Sequence, residues 1–333
     1  IEFRRMKKII YTVFSGLIIL STTFFISCAV NTQVSKPTIE GAVRVSNEAC
    51  YACHETIKPF KNSIHDRIAS FETGGIEKGC ESCHGPGSKH AETGDPTKIL
   101  SFSEKGLLTS DQKSELCLQC HTRMNWRCSE HPAHDVSCSD CHFIHGPMMG
   151  KLLAKPEPSL CFDCHQNIKA KIMMPNHHPI YEGQKTGRMR MTCSDCHEPH
   201  GSPVRGLKTD ERVNDLCLKC HARYQGPYVF EHEPVTEDCC ICHDPHGSIA
   251  DNLLKQNEPF ICLQCHQFHF HTGKIGYEGT QPPTGSRNYT TITSTYHSWK
   301  TAWTTKCTQC HTQIHGSDSH SQSVPGRGEA LTR

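Results

Sequence analysis

The sequence predicts a mostly irregular chain with short α-helices and little or no β-sheet, laid out as an elongated row of five twofold repeats. Three observations carry that expectation. Hydrophobic residues fill only 35% of the 333 positions even with Cys counted among them, too few for a large side-chain core. Cys and His are over-represented, at 23 and 25. Twenty of the cysteines fall into ten copies of one motif, C-x-x-C-H. A net charge of +1 gives no electrostatic basis for phosphate neutralisation, so no nucleic-acid partner is expected.

The motifs supply the elements in order. The first four are Cys50, Cys53 and His54; Cys80, Cys83 and His84; Cys117, Cys120 and His121; Cys138, Cys141 and His142. The next three are Cys161, Cys164 and His165; Cys193, Cys196 and His197; Cys217, Cys220 and His221. The last three are Cys239, Cys242 and His243; Cys262, Cys265 and His266; Cys307, Cys310 and His311. This pattern is the attachment site for c-type haem: two thiols form thioethers to the vinyl groups and the adjacent imidazole becomes the proximal iron ligand. A zinc ribbon needs two C-x-x-C knuckles per metal and has no use for a His after each, and a disulfide framework does not need it either. Ten covalently bound c-type haems are expected, and the fold class is that of a multihaem cytochrome c.

The N-terminus points to export. Arg4, Arg5, Lys7 and Lys8 precede an apolar run from Ile9 to Ile26, followed by Ser27, Cys28 and Ala29. Basic, apolar and small-residue parts in that order read as a secretory signal over residues 1–28, with Met6 a candidate first residue. Cys28 belongs to no haem motif, and F-I-S-C resembles a bacterial lipobox, so Cys28 is the expected acylation site. An uncleaved anchor is the alternative, since the 18-residue run nearly spans a bilayer, but Thr12, Ser15, Ser21, Thr22 and Thr23 within it count against an anchor. Residues 29–46 read as a polar tether, 47–316 as the haem-bearing domain, and 317–333 as a mobile polar tail. The expected location is the periplasm or outer membrane.

Ten of the 25 histidines are proximal ligands, and each even-numbered motif is flanked by one more His on each side. These are His65 and His90, His131 and His145, His178 and His200, His232 and His246, and His297 and His315. They form a set of ten distal ligands, enough to close every iron with a second imidazole. Their spacing is matched: His131 and His232 lie seven residues before the first Cys of their motif, and His65 and His178 fifteen before. His134 is an alternative to His131, and His177 to His178. His269, His271 and His320 read as exposed or haem-edge residues. The Met residues near the motifs (Met148, Met149, Met173, Met174, Met189 and Met191) read as packing against porphyrin rather than as ligands.

A His three positions beyond the proximal one, as His145 is beyond His142, stands on the wrong side of its own haem. It is expected to ligate a different one, so that iron coordination staples units along the chain. First cysteines of paired motifs are 30, 21, 32, 22 and 45 positions apart in the five units. The fifth is long because a Gly/Thr/Pro-rich insertion precedes the tenth motif. So little polypeptide per haem places the porphyrins nearly in contact, in a wire suited to passing electrons. Catalysis needs an open axial position. No catalytic residue is therefore expected. The alternative is a multihaem reductase of the nitrite or peroxide type with one open haem.

The runs MTCSDCHEPHGS, VNDLCLKCHARYQGPYVFEHEPVTEDC and CHDPHGSIADNLLK resemble the MtrA/DmsE/PioA family of decahaem cytochromes. The similarity extends from the first motif to CHTQIHGS. The resemblance implies bis-His haems in a single wire and a periplasmic electron carrier for respiration or extracellular electron transfer. It also implies two partners: an outer-membrane β-barrel porin around the wire, and an outer-surface multihaem cytochrome. Quinol-linked cytochromes of the periplasm or inner membrane are the expected donors. The lipobox-like Cys28, the spare Cys128 and Cys240, and the insertion before the tenth motif are departures from the family.

Overall fold

The computed structural model describes residues 34–35, 37–67, 79–146, 150–180, 191–204, 206–209, 211–266, 306–320 and 330–332. The expected signal segment, Cys28, His297, His269, His271, Met148, Met149, Met189 and the insertion before the tenth motif lie outside them. Among the described residues there is no β-strand, and pairing between extended segments is confined to isolated bridges. The longest α-helix described is Ser110–Leu118, of nine residues. No helix among the described residues is long and apolar enough to cross a membrane.

Each motif folds as a single turn. In nine of them the backbone N–H of the His donates to the carbonyl of the first Cys at 2.9–3.1 Å. One such turn places both thiols and the imidazole on one side of the backbone. The turns are started from within the sequence. In C-S-D-C-H the Asp caps its own helix: the Ser137 N–H donates to Asp140 Oδ2 at 2.7 Å, and the Thr192 N–H to Asp195 Oδ2 at 2.8 Å. A cap of this kind contributes about 0.5–2 kcal/mol.

The two motifs of a repeat are tied together by a residue just upstream of the odd one. Asn47 Oδ1 accepts the N–H of Cys80 at 3.1 Å, and Asn214 Oδ1 that of Cys239 at 2.7 Å. Glu157 accepts the N–H of Ser194 and Glu258 that of Thr308, both at 2.8 Å. In the second repeat buried Ser114, also three positions before the first Cys, stands beside the Cys138 thiol. Asn three positions before the first Cys and Glu four before it thus solve one problem, the orphan N–H groups at the start of a helical turn.

By contacts the chain forms two units, residues 1–155 with 198–202, and residues 156–197 with 203–333. The first has a small apolar cluster of Leu100, Leu108 and Leu116 flanked by Ile39 and Phe102. In the second, Ile172, Ala250 and Leu331 are buried. Parts of the expected tether and of the expected tail are held by hydrogen bonds. Val43 N–H donates to Ser88 Oγ and Val45 N–H to Glu81 Oε1, pinning the end of the tether. At the other terminus Leu331 is 7% exposed and its carbonyl accepts the N–H of Gln313. The polar composition of the tail hid this, because what holds it is backbone pairing.

Candidate haem-iron sites

The cross-ties bring thiols together. The first Cys of each odd motif lies against the first Cys of the following even one, Cys50 with Cys80, Cys117 with Cys138, Cys161 with Cys193, Cys217 with Cys239 and Cys262 with Cys307. Burial, and after it the Cys50 thiol, pushes Cys80 up to about 11. The Cys117, Cys161 and Cys217 thiols are raised by their hydrogen bonds to the partner thiol and then by burial. The Glu258, Cys262 and Cys307 ligand atoms lie within 4.8 Å of one another. Two of these three are the paired thiols of the fifth repeat and the third is the Glu that joins its halves. Two macrocycles attached to adjacent thiols would lie side by side.

The imidazoles pair by another rule. In the first unit, ring centroids are 6.0 Å apart for His54 and His90, 5.9 Å for His84 and His145, 6.3 Å for His121 and His65, and 5.9 Å for His142 and His200. In the second they are 5.9 Å apart for His197 and His246, 6.3 Å for His221 and His178, 6.2 Å for His243 and His315, and 6.0 Å for His266 and His232. Every pair joins a C-x-x-C-H imidazole to a flanking one. Rings in contact would approach to roughly 3.5–4.0 Å. Two metal–imidazole bonds of about 2 Å, with each nitrogen about 1.1 Å from its ring centre, instead set the centres roughly 6.3 Å apart. The spacing fits one iron between each pair.

The pairing alternates. His145, His200, His246 and His315 lie opposite the proximal His of the preceding even motif, while His65, His178 and His232 lie opposite that of the next odd motif. His90, in the first repeat, turns back to His54. His178 rather than His177 faces His221, and His177 donates locally to the carbonyl of His178. His131 stacks on buried Trp126 at 6.0 Å, whereas His134 is exposed. His320 packs edge-on against Phe230.

In five of the C-x-x-C-H rings Nδ1 has its own partner. His84 Nδ1–H donates to Leu100 O at 2.9 Å, His142 to Lys151 O at 2.9 Å, and His243 to Asn252 O at 2.8 Å. His197 donates to the carbonyl of Gly206, and His311 to that of Ala330 at 2.6 Å. Lys151 (φ 60°) and Asn252 (φ 56°) are left-handed, a conformation that turns the carbonyl inward at a cost of roughly 1–2 kcal/mol per residue. Bonds of this kind fix the tautomer, leaving Nε2 for the metal.

The distal rings are held by the loop after the next even motif. Pro199 O accepts from His131 Nδ1, Pro245 O from His178 Nδ1, and Ile314 O from His232 Nδ1, at 3.0, 2.7 and 3.0 Å. In each case the next residue, His200, His246 or His315, is itself a distal ring. One loop therefore carries one candidate ligand and supports another. The Gly that follows lets the loop approach its support: a Cβ on Gly201 would stand 2.5 Å from Asn125 O, and one on Gly247 1.9 Å from Lys171 O. Burial first, and then neighbouring imidazoles, holds His65, His145, His246 and His315 below the ordinary imidazole range. That keeps them neutral, the form that binds metal.

Sequence reasoning missed Glu198, Asp244, Trp126 and the cross-tying Asn47, Asn214, Glu157 and Glu258. A signal was present for some of them: Asn recurs three positions before the first Cys, and E-P stands four positions before it in both KPEPSLC and NEPFIC. Cys128 is exposed and Cys240 half-buried, its thiol pushed up to about 11 by burial and then by Asp238.

The family model of the doubled CXXCH motif matches residues 131–170, 177–226 and 232–269. Its frame pairs an even motif with the next odd one, in step with the upstream His ligands, whereas the paired thiols follow the odd-to-even frame. The chain is 29% identical over 146 residues to the cytochrome c-type protein NrfB of Escherichia coli O6:H1 (strain CFT073), covering 41% of this chain and 72% of that protein. It is 33% identical over 279 residues to the multiheme cytochrome MtrA of Shewanella baltica (strain OS185), covering 81% of this chain and 78% of the relative. With covalent haem attachment and an electron-transfer function, the chain belongs to the MtrA family of multihaem c-type cytochromes.

Proposed function

We propose that this chain is an electron conduit in which ten c-type haems, each closed by two imidazoles, pass electrons from one to the next. The observation that supports it is the set of eight described imidazole pairs, each spaced for a single iron. His131 and His297 complete the distal set. An iron with both axial positions filled by imidazole has no place for substrate, so the chain carries charge and does no chemistry of its own. Bis-His ligation in place of Met/His keeps potentials low, which suits donors on the quinol side.

The setting follows from the backbone. A bilayer core is about 30 Å thick, and a loop-rich chain with few helices cannot face lipid, because its peptide groups would go unsatisfied. It crosses only inside a closed barrel with a polar interior. We therefore place the mature chain at the periplasmic side of the outer membrane, exported by residues 1–28 and held at Cys28. Its partners are a β-barrel porin around it, an outer-surface multihaem cytochrome beyond it, and periplasmic or inner-membrane cytochrome donors behind it. Affinity purification of the full chain from native outer membrane should recover a large β-barrel, and a pyridine haemochrome assay should give close to ten haems per chain. A dominant high-spin ferric signal would overturn the conduit reading.

A further inference from the structure

The acceptors on the distal imidazoles are not alike. His90, His131, His178 and His232 donate to neutral backbone carbonyls. The buried Nδ1 of His65 has no hydrogen-bond partner. His200 differs, because its Nδ1 lies 2.9 Å from Glu198 Oε1, an anionic acceptor. The same oxygen also accepts the His200 backbone N–H at 3.4 Å, so a two-residue turn fixes carboxylate and ring together. Both side chains are about two-thirds shielded, with exposures of 30% and 33%. Among the described residues no Lys or Arg pairs with Glu198.

The fourth repeat supplies an internal contrast. Asp244 occupies the same place before His246, yet its Oδ1 is 3.8 Å from the ring nitrogen, and its Oδ2 is held by Lys171 Nζ at 2.5 Å. The sequences E-P-H-G and D-P-H-G look equivalent, but in one the carboxylate is spent on a lysine and in the other it is directed at the ligand.

We propose that Glu198 is a tuning residue for the iron between His142 and His200, and that it sets this haem at a lower potential than those whose distal ring donates to a carbonyl. A carboxylate accepting the Nδ1–H gives the imidazole partial imidazolate character and raises its donation through Nε2. Greater donation and nearby negative charge both favour Fe(III) over Fe(II), and hydrogen bonding around a haem is an established lever on its potential. Glu198 is a positioning and tuning residue that acts through its bond to His200 and through its charge. The inference rests on the axial pairing of His142 with His200.

The test is an optical potentiometric titration of the haem-loaded full chain, with electron paramagnetic resonance as a second readout. In Glu198→Gln, which keeps shape and an acceptor but removes the charge, about one-tenth of the absorbance change should move to higher potential. The expected size is roughly tenfold in that haem's reduction equilibrium, 59 mV for a one-electron couple, with all irons still low-spin. Asp244→Asn should give a smaller shift. Lys171→Met should release Asp244 to His246 and move one haem the opposite way, which keeps the idea testable if Glu198→Gln does not load. An unchanged curve in low-spin Glu198→Gln, or no shift in Lys171→Met, overturns the tuning and leaves the pairing standing. His200→Ala tests the pairing separately: one high-spin iron is expected, and its absence overturns both.

Discussion

Replacing Gly247 by Ala probes a loop that carries one candidate distal ligand, His246, and supports a second, His178. The new Cβ would stand 1.9 Å from the carbonyl oxygen of Lys171 and 2.7 Å from its carbonyl carbon. Carbon contacts are comfortable at roughly 3.5 Å, so the loop must retreat by more than about 1 Å. Lys171 cannot yield, since its carbonyl is part of the helix Gln166–Ile172. Retreat breaks the reciprocal backbone bonds between Asn176 and Ser248, at 3.2 and 2.8 Å. Those two bonds contribute about 0.5–1.5 kcal/mol each. It also withdraws Pro245 O from His178, now 2.7 Å away, and moves His246 from its place opposite His197. A metal–imidazole bond of about 2 Å does not survive a displacement half its length. Near-infrared magnetic circular dichroism of the oxidised, haem-loaded variant should therefore show up to two irons leaving the low-spin state, with Tm lower by a few degrees for a loss of about 1–3 kcal/mol. Full low-spin intensity with an unchanged Tm would refute the reasoning.

Other perturbations reach different features. Asn214→Ala strips the partner from the Cys239 N–H and from the carbonyls of Val235 and Thr236, so stability should fall by about 1–3 kcal/mol in a thermal melt while haem content stays whole. Ring planes are within 10–17° of parallel in the pairs of His84, His142, His197 and His243, but inclined by 62° and 57° in those of His121 and His221. Parallel planes split the two π-type iron d orbitals and crossed planes do not, so the oxidised protein should give two classes of low-spin resonance; a single class would count against the pairing. Burial first, and neighbouring imidazoles after it, depresses the folded pKa of His145 and His246. Iron coordination holds the same rings neutral, so the unfolded chain takes up protons first, and the associated stability is complete above about pH 6.5 and falls as the pH drops below it. A melting temperature that stayed level from neutral to about pH 5 would contradict this.

The covalent anchors were legible in the sequence because thioether chemistry demands a rigid local word, and C-x-x-C-H is that word ten times over. The short helices were legible for a related reason: Asp140 and Asp195 sit inside the motif and cap its turn. The choice of opposite imidazole was only half legible. The three-residue step from His142 to His145 excludes a shared iron, yet nothing local says that His145 faces His84, or that His65 reaches His121 across 56 positions. The acceptors were invisible, since Leu100, Lys151, Asn252, Pro199 and Ala330 act through their carbonyls, which every residue type possesses. The difference between Glu198 and Asp244 depends on where Lys171 lies, and composition does not report that.

The forward reach of the downstream histidines has a consequence for chain length. His84, His142, His197 and His243 each meet a ring supplied by the following repeat, so the even-motif site of each of the first four repeats is completed only by its successor. A protein that stopped before His315 would keep the porphyrin anchored at His243 and would present its sixth position to solvent. Shortening a carrier built in this way is thus a one-step route to a ligand-binding centre at the new end.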